Sequence, residues 1–240
     1  MGPIDAILAG AEAGAGYLES VLFEQLIEIR DEEPHGAGLN MAIDEVLLAR
    51  VREPLLRIYR WEPLAVSFGY FGKYAPVAAA WPGREIVRRM TGGGIVPHGS
   101  DLTYSLIVPG RHPFAARSPR DVYAAVHGRL AAALARSGEV PVLAGSPERE
   151  GTGVCFESPA ESDLLARGKK IAGAALRRTR DGLLFQGSIQ ELPGLDLLRS
   201  RLAPAFGTQT VGRSLSPQEI ADAEELAHSK YGTPAWNARV

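Results

Sequence analysis

The spacing of apolar residues changes several times along this chain, and each change marks an element. Leu22 to Arg30 alternates weakly between apolar and polar positions and ends in the acidic turn Asp31-Glu32-Glu33-Pro34, which predicts a strand. From Gly38 to Val51 the period lengthens. Ala42, Ile43, Val46 and Leu47 recur at helical spacing, and Pro54 closes the segment. Leu55–Arg60 and Leu64–Tyr70 flank Trp61-Glu62-Pro63 and read as a β-hairpin. Glu85–Met90 and Leu102–Val108 read as strands, with a glycine loop at Thr91–Gly94 after the first of them. Ser118 and Pro119 fit the N-cap and first position of a helix running to about Arg136. Val122, Val126, Leu130 and Leu134 share one of its faces, and Gly138 follows it. Glu148–Ala160 is polar and aperiodic, the pattern of a loop. Lys170–Arg177 and Leu183–Gln190 make a second hairpin, turning at Arg180-Asp181-Gly182. Ser216-Pro217-Gln218-Glu219 is a capping box opening a helix that runs to about Lys230 and ends near Gly232 and Pro234. Hairpin strands interspersed with helices predict an α+β fold, with a central, mainly antiparallel or mixed sheet flanked by helices.

Composition narrows the function classes. A domain of 240 residues buries roughly 70–75% of its unfolded surface and needs no staples. A net charge of −2 gives no basic footprint for nucleic acid or an anionic membrane. No apolar run approaches the ~20 residues of a membrane span. Residues 1–20 are rich in Ala and Gly, lack a basic start, and are interrupted by Asp5. The expectation is a flexible extension, then a single domain over 21–240, in a cytoplasmic protein. A lone cysteine, Cys155, excludes an internal disulfide and cysteine-based structural zinc. Five scattered histidines without a His-Glu-x-x-His pattern give no support to a metal site.

Three stretches could carry chemistry. Arg88-Arg89-Met90-Thr91-Gly92-Gly93-Gly94 leads through Ile95-Val96-Pro97 to His98, and Asp101-Leu102-Thr103-Tyr104-Ser105 follows. Three consecutive glycines leave the main chain uncovered, so a ligand can lie against it and successive N–H groups can form an anion-binding concavity. The same glycines also suit a plain hairpin loop. Arg88 and Arg89 point to opposite faces of their strand, so one is expected to meet a ligand while the other is solvated. The second stretch, Gly168-Lys169-Lys170-Ile171-Ala172-Gly173, holds two of only four lysines among 26 Lys and Arg residues. The third is Val154-Cys155-Phe156-Glu157-Ser158-Pro159. A thiolate is a strong nucleophile, and a nearby cation raises its population. A lone cysteine is also a common core residue.

The first two stretches, together with Asn40-Met41-Ala42-Ile43-Asp44-Glu45 and Lys230-Tyr231-Gly232-Thr233-Pro234-Ala235-Trp236-Asn237, resemble the lipoate/biotin protein ligase and octanoyltransferase superfamily over residues 22 to 240. The resemblance implies a fold on a central sheet, with an acyl chain held beside the Gly92–Gly94 loop. It gives the motif lysine's role to Lys170. Arg88, Arg89, Thr91, Gly92, Gly93, Gly94, His98, Ala172 and Gly173 are then the expected substrate-binding residues.

The Cys155 segment looks like the nucleophile segment of the cysteine-dependent octanoyltransferase branch. That branch implies octanoyl acyl carrier protein as donor, and a lipoyl domain or glycine cleavage H protein as acceptor. It needs no ATP and no other cofactor, because the acyl group arrives as a thioester. Lys170 would favour the thiolate and hold the thioester carbonyl. Some group must also take the acceptor lysine's proton. His98 is one candidate, but the motif does not establish that role.

Two positions depart from the branch. Gly94 stands where it usually has Arg, as in the ligases, and the later strand reads Gln186-Gly187 without the branch's His. Two alternatives therefore stay open. One is an ATP-dependent lipoate–protein ligase catalytic domain. The other is a non-catalytic acyl or lipoyl-domain binding module.

Overall fold

A computed structural model of the chain describes residues 21–135, 141–145, 163–190, 192 and 195–239. The expected N-terminal extension and the loop carrying Cys155 lie outside them.

Eight strands form one mixed sheet and three more form a smaller one. In the large sheet, β1 (Phe23–His35) is flanked on both sides by parallel neighbours, β2 (Leu55–Trp61) and β11 (Gly207–Arg213). The remainder is antiparallel: β2 pairs with β6 (Leu102–Pro109), β6 with β10 (Gly182–Ile189), and β10 with β9 (Lys169–Arg178). Two short strands, β8 (Leu164–Ala166) and β7 (Val142–Leu143), finish that edge. The small sheet has the order β4 (Glu85–Arg88), β3 (Ala65–Phe68), β5 (Ile95–Pro97).

The period of two divides the central strands between two cores. Leu56, Ile58, Leu106, Val108, Leu183 and Phe185 pack on one face with helices α3 (Pro119–Ala135) and α4 (Leu195–Phe206). Leu55, Tyr59, Ile107 and Leu184 pack on the other with α1 (Ala37–Arg50) and α5 (Pro217–Leu226). A short helix, α2 (Tyr74–Ala80), covers the small sheet through Val77. After α5 the chain makes a π turn at Ala227–Tyr231 and a last short helix, α6 (Pro234–Asn237). No helix among the described residues is long and apolar enough to cross a membrane.

The α+β expectation matches this architecture, and both predicted caps are in place. Ser118 Oγ accepts from Asp121 N at 3.2 Å, and Ser216 and Glu219 form the reciprocal box. The Lys170–Gln190 hairpin also forms, as β9 and β10.

The first predicted hairpin does not form. Both edges of β2 are taken, by β1 and β6, so the next strand has nowhere to pair in that sheet. Leu64, at φ 68°, reverses the chain and sends β3 into the small sheet between β4 and β5. Sequence reasoning also missed α2, α4, β5, β8 and β11.

Why β2 is central is a matter of one side chain. Arg57 sits in the middle of an apolar strand, fully buried. Its five N–H groups are all used. Nε and Nη2 donate to Asp31 Oδ2 at 3.0 and 2.6 Å, and Nη1 donates to Asn40 O at 3.1 Å and Asp44 Oδ1 at 2.9 Å. Nη2 also donates to Asn40 Oδ1 at 2.7 Å. A buried guanidinium survives only when its donors are satisfied and its charge is matched, and two carboxylates match it here. The Arg57→Met variant leaves Asp31 and Asp44 facing each other without the cation. It should lose about 3–5 kcal/mol of unfolding free energy, read as a lowered urea midpoint.

Candidate functional site

The glycine loop that follows β4 lies against the end of β3. Tyr70 N donates to Thr91 O at 2.8 Å and Arg89 N to Phe68 O at 2.8 Å. A Cβ on Gly69 would come within 1.9 Å of Gly93 O, so this approach admits only glycine at 69. Gly93 itself has φ +87°. Side-chain chemistry then fixes the loop. Arg89 Nη2 donates to the carbonyls of Gly92 and Gly94 at 2.9 and 3.0 Å.

Between this loop and strands β9 and β10 opens a narrow, mostly apolar pocket of about 30 Å³. Met41, Tyr59, Trp61, Val96, Ala174 and Ala175 give it apolar walls. The backbone of Gly93, Gly173 and Gly187 forms further wall, and Ser67, Arg89, His98, Thr103, Gln186 and Ser188 supply polar atoms.

Two hydrogen-bonded groups support those polar atoms. In the first, Asp44 is wholly buried. It accepts from Ser105 Oγ at 2.5 Å and Gln186 Nε2 at 2.7 Å, as well as from Arg57. Gln186 Oε1 in turn accepts from Thr91 Oγ1 at 2.7 Å. Asp31, Arg57, Asp44, Gln186 and Thr91 thus run without a break from β1 to the glycine loop.

In the second, His98 Nδ1 lies 2.9 Å from Asp101 Oδ2, and Thr103 and Ser188 hydroxyls donate to the same oxygen at 2.7 Å each. Burial alone would push the Asp101 carboxyl up, but attraction to the His98 ring and these hydrogen bonds hold it at about 2. Trp61 stacks on His98, with centroids 3.8 Å apart and planes 10° apart, and donates from Nε1 to Thr103 Oγ1 at 2.8 Å. On its other nitrogen, His98 Nε2 meets Ser67 Oγ at 2.7 Å. Arg89 Nη1 donates to that hydroxyl at 2.8 Å.

Of the expected site residues, Arg89, Gly93, His98 and Gly173 reach the pocket wall. Thr91 stands behind it through Gln186. Lys170 lies beside it. A Cβ on Gly173 would come within 2.8 Å of Lys170 Nζ, so the ammonium folds back across the glycine that forms the wall. Lys170 Nζ also pairs with Asp163 Oδ2 at 2.7 Å, with both side chains buried. Ala172, on the opposite side of β9 from Gly173, packs into the α3–α4 core. Cys155 lies outside the described residues.

Arg88 and Arg89 do point apart, but neither is solvated, at 1% and 6% exposure. Arg88 donates its five N–H groups to the carbonyls of Trp236, Tyr70, Gly72, Asn237 and Arg239. It clasps the C-terminal segment onto β4 and does not line the pocket. Asn237 Oδ1 accepts from Arg88 N at 2.8 Å, and Trp236 Nε1 donates to Arg88 O at 2.9 Å.

Ser67, Gly69 and Asp163 were missed by sequence reading. Gly69 carries a signal, being the second member of a glycine contact that needs both partners bare. Ser67 and Asp163 carry none, since each acquires its role through a partner distant in sequence.

The strand position where the histidine is missing is also constrained. A Cβ on Gly187 would meet the Tyr104 ring at 2.3 Å.

Comparison with known proteins places this pocket in context. The family model described as the lipoyl protein ligase A/B catalytic domain matches residues 37–227. Octanoyltransferase LipM of Brevibacillus brevis is 30% identical over 86% of this chain and 96% of its own length. Octanoyltransferase LipM of Moorella thermoacetica is 34% identical over 72% of each chain. Among solved structures, lipoate-protein ligase A bound with ATP superposes with a TM-score of 0.73 at 21% identity, covering 89% of this chain and 98% of that one. The bipartite lipoate protein ligase of Thermoplasma acidophilum gives 0.69 at 20% identity, over 90% and 96%. These structural matches concern the fold.

Asp101 gives the site a measurable acid sensitivity. Its folded-state value lies below the usual 3.8, so its contribution to stability is complete above about pH 4 and is lost as pH falls through about 2. The shift corresponds to roughly 2 kcal/mol. The Asp101→Asn variant should be less stable than the parent at pH 6, and its urea midpoint should fall less steeply between pH 5 and pH 2.

Proposed function

Because the chain belongs to the lipoyl protein ligase A/B catalytic domain family, we propose that it is an octanoyltransferase of protein lipoylation. The octanoyl group arrives as a thioester on acyl carrier protein, moves to Cys155, and leaves on a lysine of a lipoyl domain or glycine cleavage H protein. The observation that carries the reading is the Lys170 ammonium folded across Gly173, at the wall of an apolar pocket roofed by the glycine loop.

The first step breaks the donor's C–S bond as the Cys155 sulfur attacks the carbonyl carbon, and the donor thiolate leaves. In the second step the acceptor amine forms a C–N bond, the C–S bond to Cys155 breaks, and the departing sulfur takes the amine's surplus proton. Lys170 serves both steps by favouring thiolate and by donating to the oxygen on which negative charge develops. Asp163 pairs with the ammonium at 2.7 Å and so orients the lysine chain. The energy of the thioester drives transfer, so no nucleotide is consumed.

Weighing the intact protein after incubation with octanoyl acyl carrier protein tests this. The expected result is a hydroxylamine-sensitive octanoyl adduct in the parent, none in Cys155→Ala, and at least a ~10²-fold slower adduct in Lys170→Met. Transfer that requires ATP and survives Cys155→Ala would replace this reading with a ligase.

A second consequence concerns the wall itself. The Gly173→Ala variant should displace the Lys170 ammonium, because the added methyl would come within 2.6 Å of its Cε. Steady-state kinetics should show kcat falling more than the donor KM rises, as for a group that acts on the transition state.

A further inference from the structure

The transfer to a lysine leaves one chemical demand unmet by Cys155 and Lys170. The acceptor side chain arrives as an ammonium and must shed a proton before its nitrogen can attack. The pocket wall holds a chain of groups arranged for that task.

The hydrogen positions in this chain follow from its partners. Asp101 only accepts, so His98 Nδ1 carries a hydrogen, and in the neutral imidazole Nε2 then keeps its lone pair. Arg89 only donates, so Ser67 Oγ accepts from it, and beside the neutral imidazole the serine's own hydrogen is directed to His98 Nε2. A hydroxyl oxygen has two lone pairs. Arg89 uses one, and among the described residues nothing is bonded to the other. Ser67, His98 and Arg89 all line the same pocket. Trp61 holds the imidazole flat from one side, while Thr103 and Ser188 hold the Asp101 oxygen. Among the described residues, the charged groups bonded to the ring or to its partner serine are Asp101, on the segment leading into β6, and Arg89, from beyond β4.

We propose that Ser67 and His98 form the proton relay for the acceptor amine, with Asp101 and Arg89 as positioning residues. The ammonium gives a proton to Ser67 Oγ as Ser67 passes its own to His98 Nε2. The neutral nitrogen then forms the C–N bond, the thioester C–S bond breaks, and a second amine proton goes to the departing sulfur. His98 discharges its proton to water. Arg89 keeps the serine hydrogen directed at His98, and Asp101 keeps the ring in the tautomer that can receive it. The relay rests on the transferase reading above.

The test compares two nucleophiles in the full chain supplied with octanoyl acyl carrier protein: a lipoyl-domain lysine, and hydroxylamine, which is neutral at pH 7. Ser67→Ala and His98→Gln should lose ~10²–10⁴-fold in transfer to lysine at pH 7. Their loss with hydroxylamine should be at least ~10-fold smaller, and the lysine deficit should narrow as pH rises toward the lysine pKa of about 10.4. Losses that match for both nucleophiles at every pH would reduce the two residues to a structural role and overturn the relay, as would unimpaired lysine transfer in both variants. A folded parent protein that transfers nothing to lysine would remove the transferase reading and the relay with it. An active parent with indifferent variants would remove the relay alone.

Discussion

The architecture depends on a buried cation, Arg57, being answered on all sides. A guanidinium with no exposure must have its donors met and its charge balanced, and the groups that do so come from β1, from α1 and from the backbone of α1. The strand, its parallel neighbour and the helix above are thereby locked in one register. Asp44 then hands the constraint onward through Gln186 to Thr91, the first residue of the glycine loop. A network of this kind adds little net stability compared with apolar packing. It does fix where the pocket's walls stand relative to one another.

Two buried carboxylates set the two polar sides of the pocket. Asp163 holds the Lys170 ammonium on the β9 side, and Asp101 holds the His98 imidazole on the β5–β6 side. Each carboxylate is buried, so each is little screened by solvent. One side is suited to stabilising negative charge on oxygen, the other to moving protons. Between them lie Gly173, Ala174 and Ala175, small residues of the pocket wall.

How much of this was legible in the sequence follows from the range of each interaction. The glycine loop, the His98–Asp101 spacing and the lysine stretch stand on consecutive residues and could be read directly. The α+β class followed from hydrophobic period, and the capping residues placed two helix starts. The false hairpin came from the usual preference of sequential strands for pairing. That preference lost to β1 and β6, which occupy both edges of β2 through contacts no local pattern announces. The solvated arginine was a similar error, because Arg88 finds its carbonyls at the far end of the chain. Arg57 did leave a trace, a lone charge inside Leu55-Leu56-Arg57-Ile58-Tyr59, though its partners could not be named from it.

Arg88 also bears on the order in which the molecule can be made. Its Nη2 reaches Arg239 O, 151 residues further along, and its other donors include Trp236 and Asn237 carbonyls. While a ribosome is still synthesising the chain, those acceptors do not exist. Until then Arg88 can donate to the Tyr70 and Gly72 carbonyls but not to those of the C-terminal segment. Closing so long a loop is slow in itself. Arg88 thus completes its set of carbonyl partners only after residue 239 has emerged.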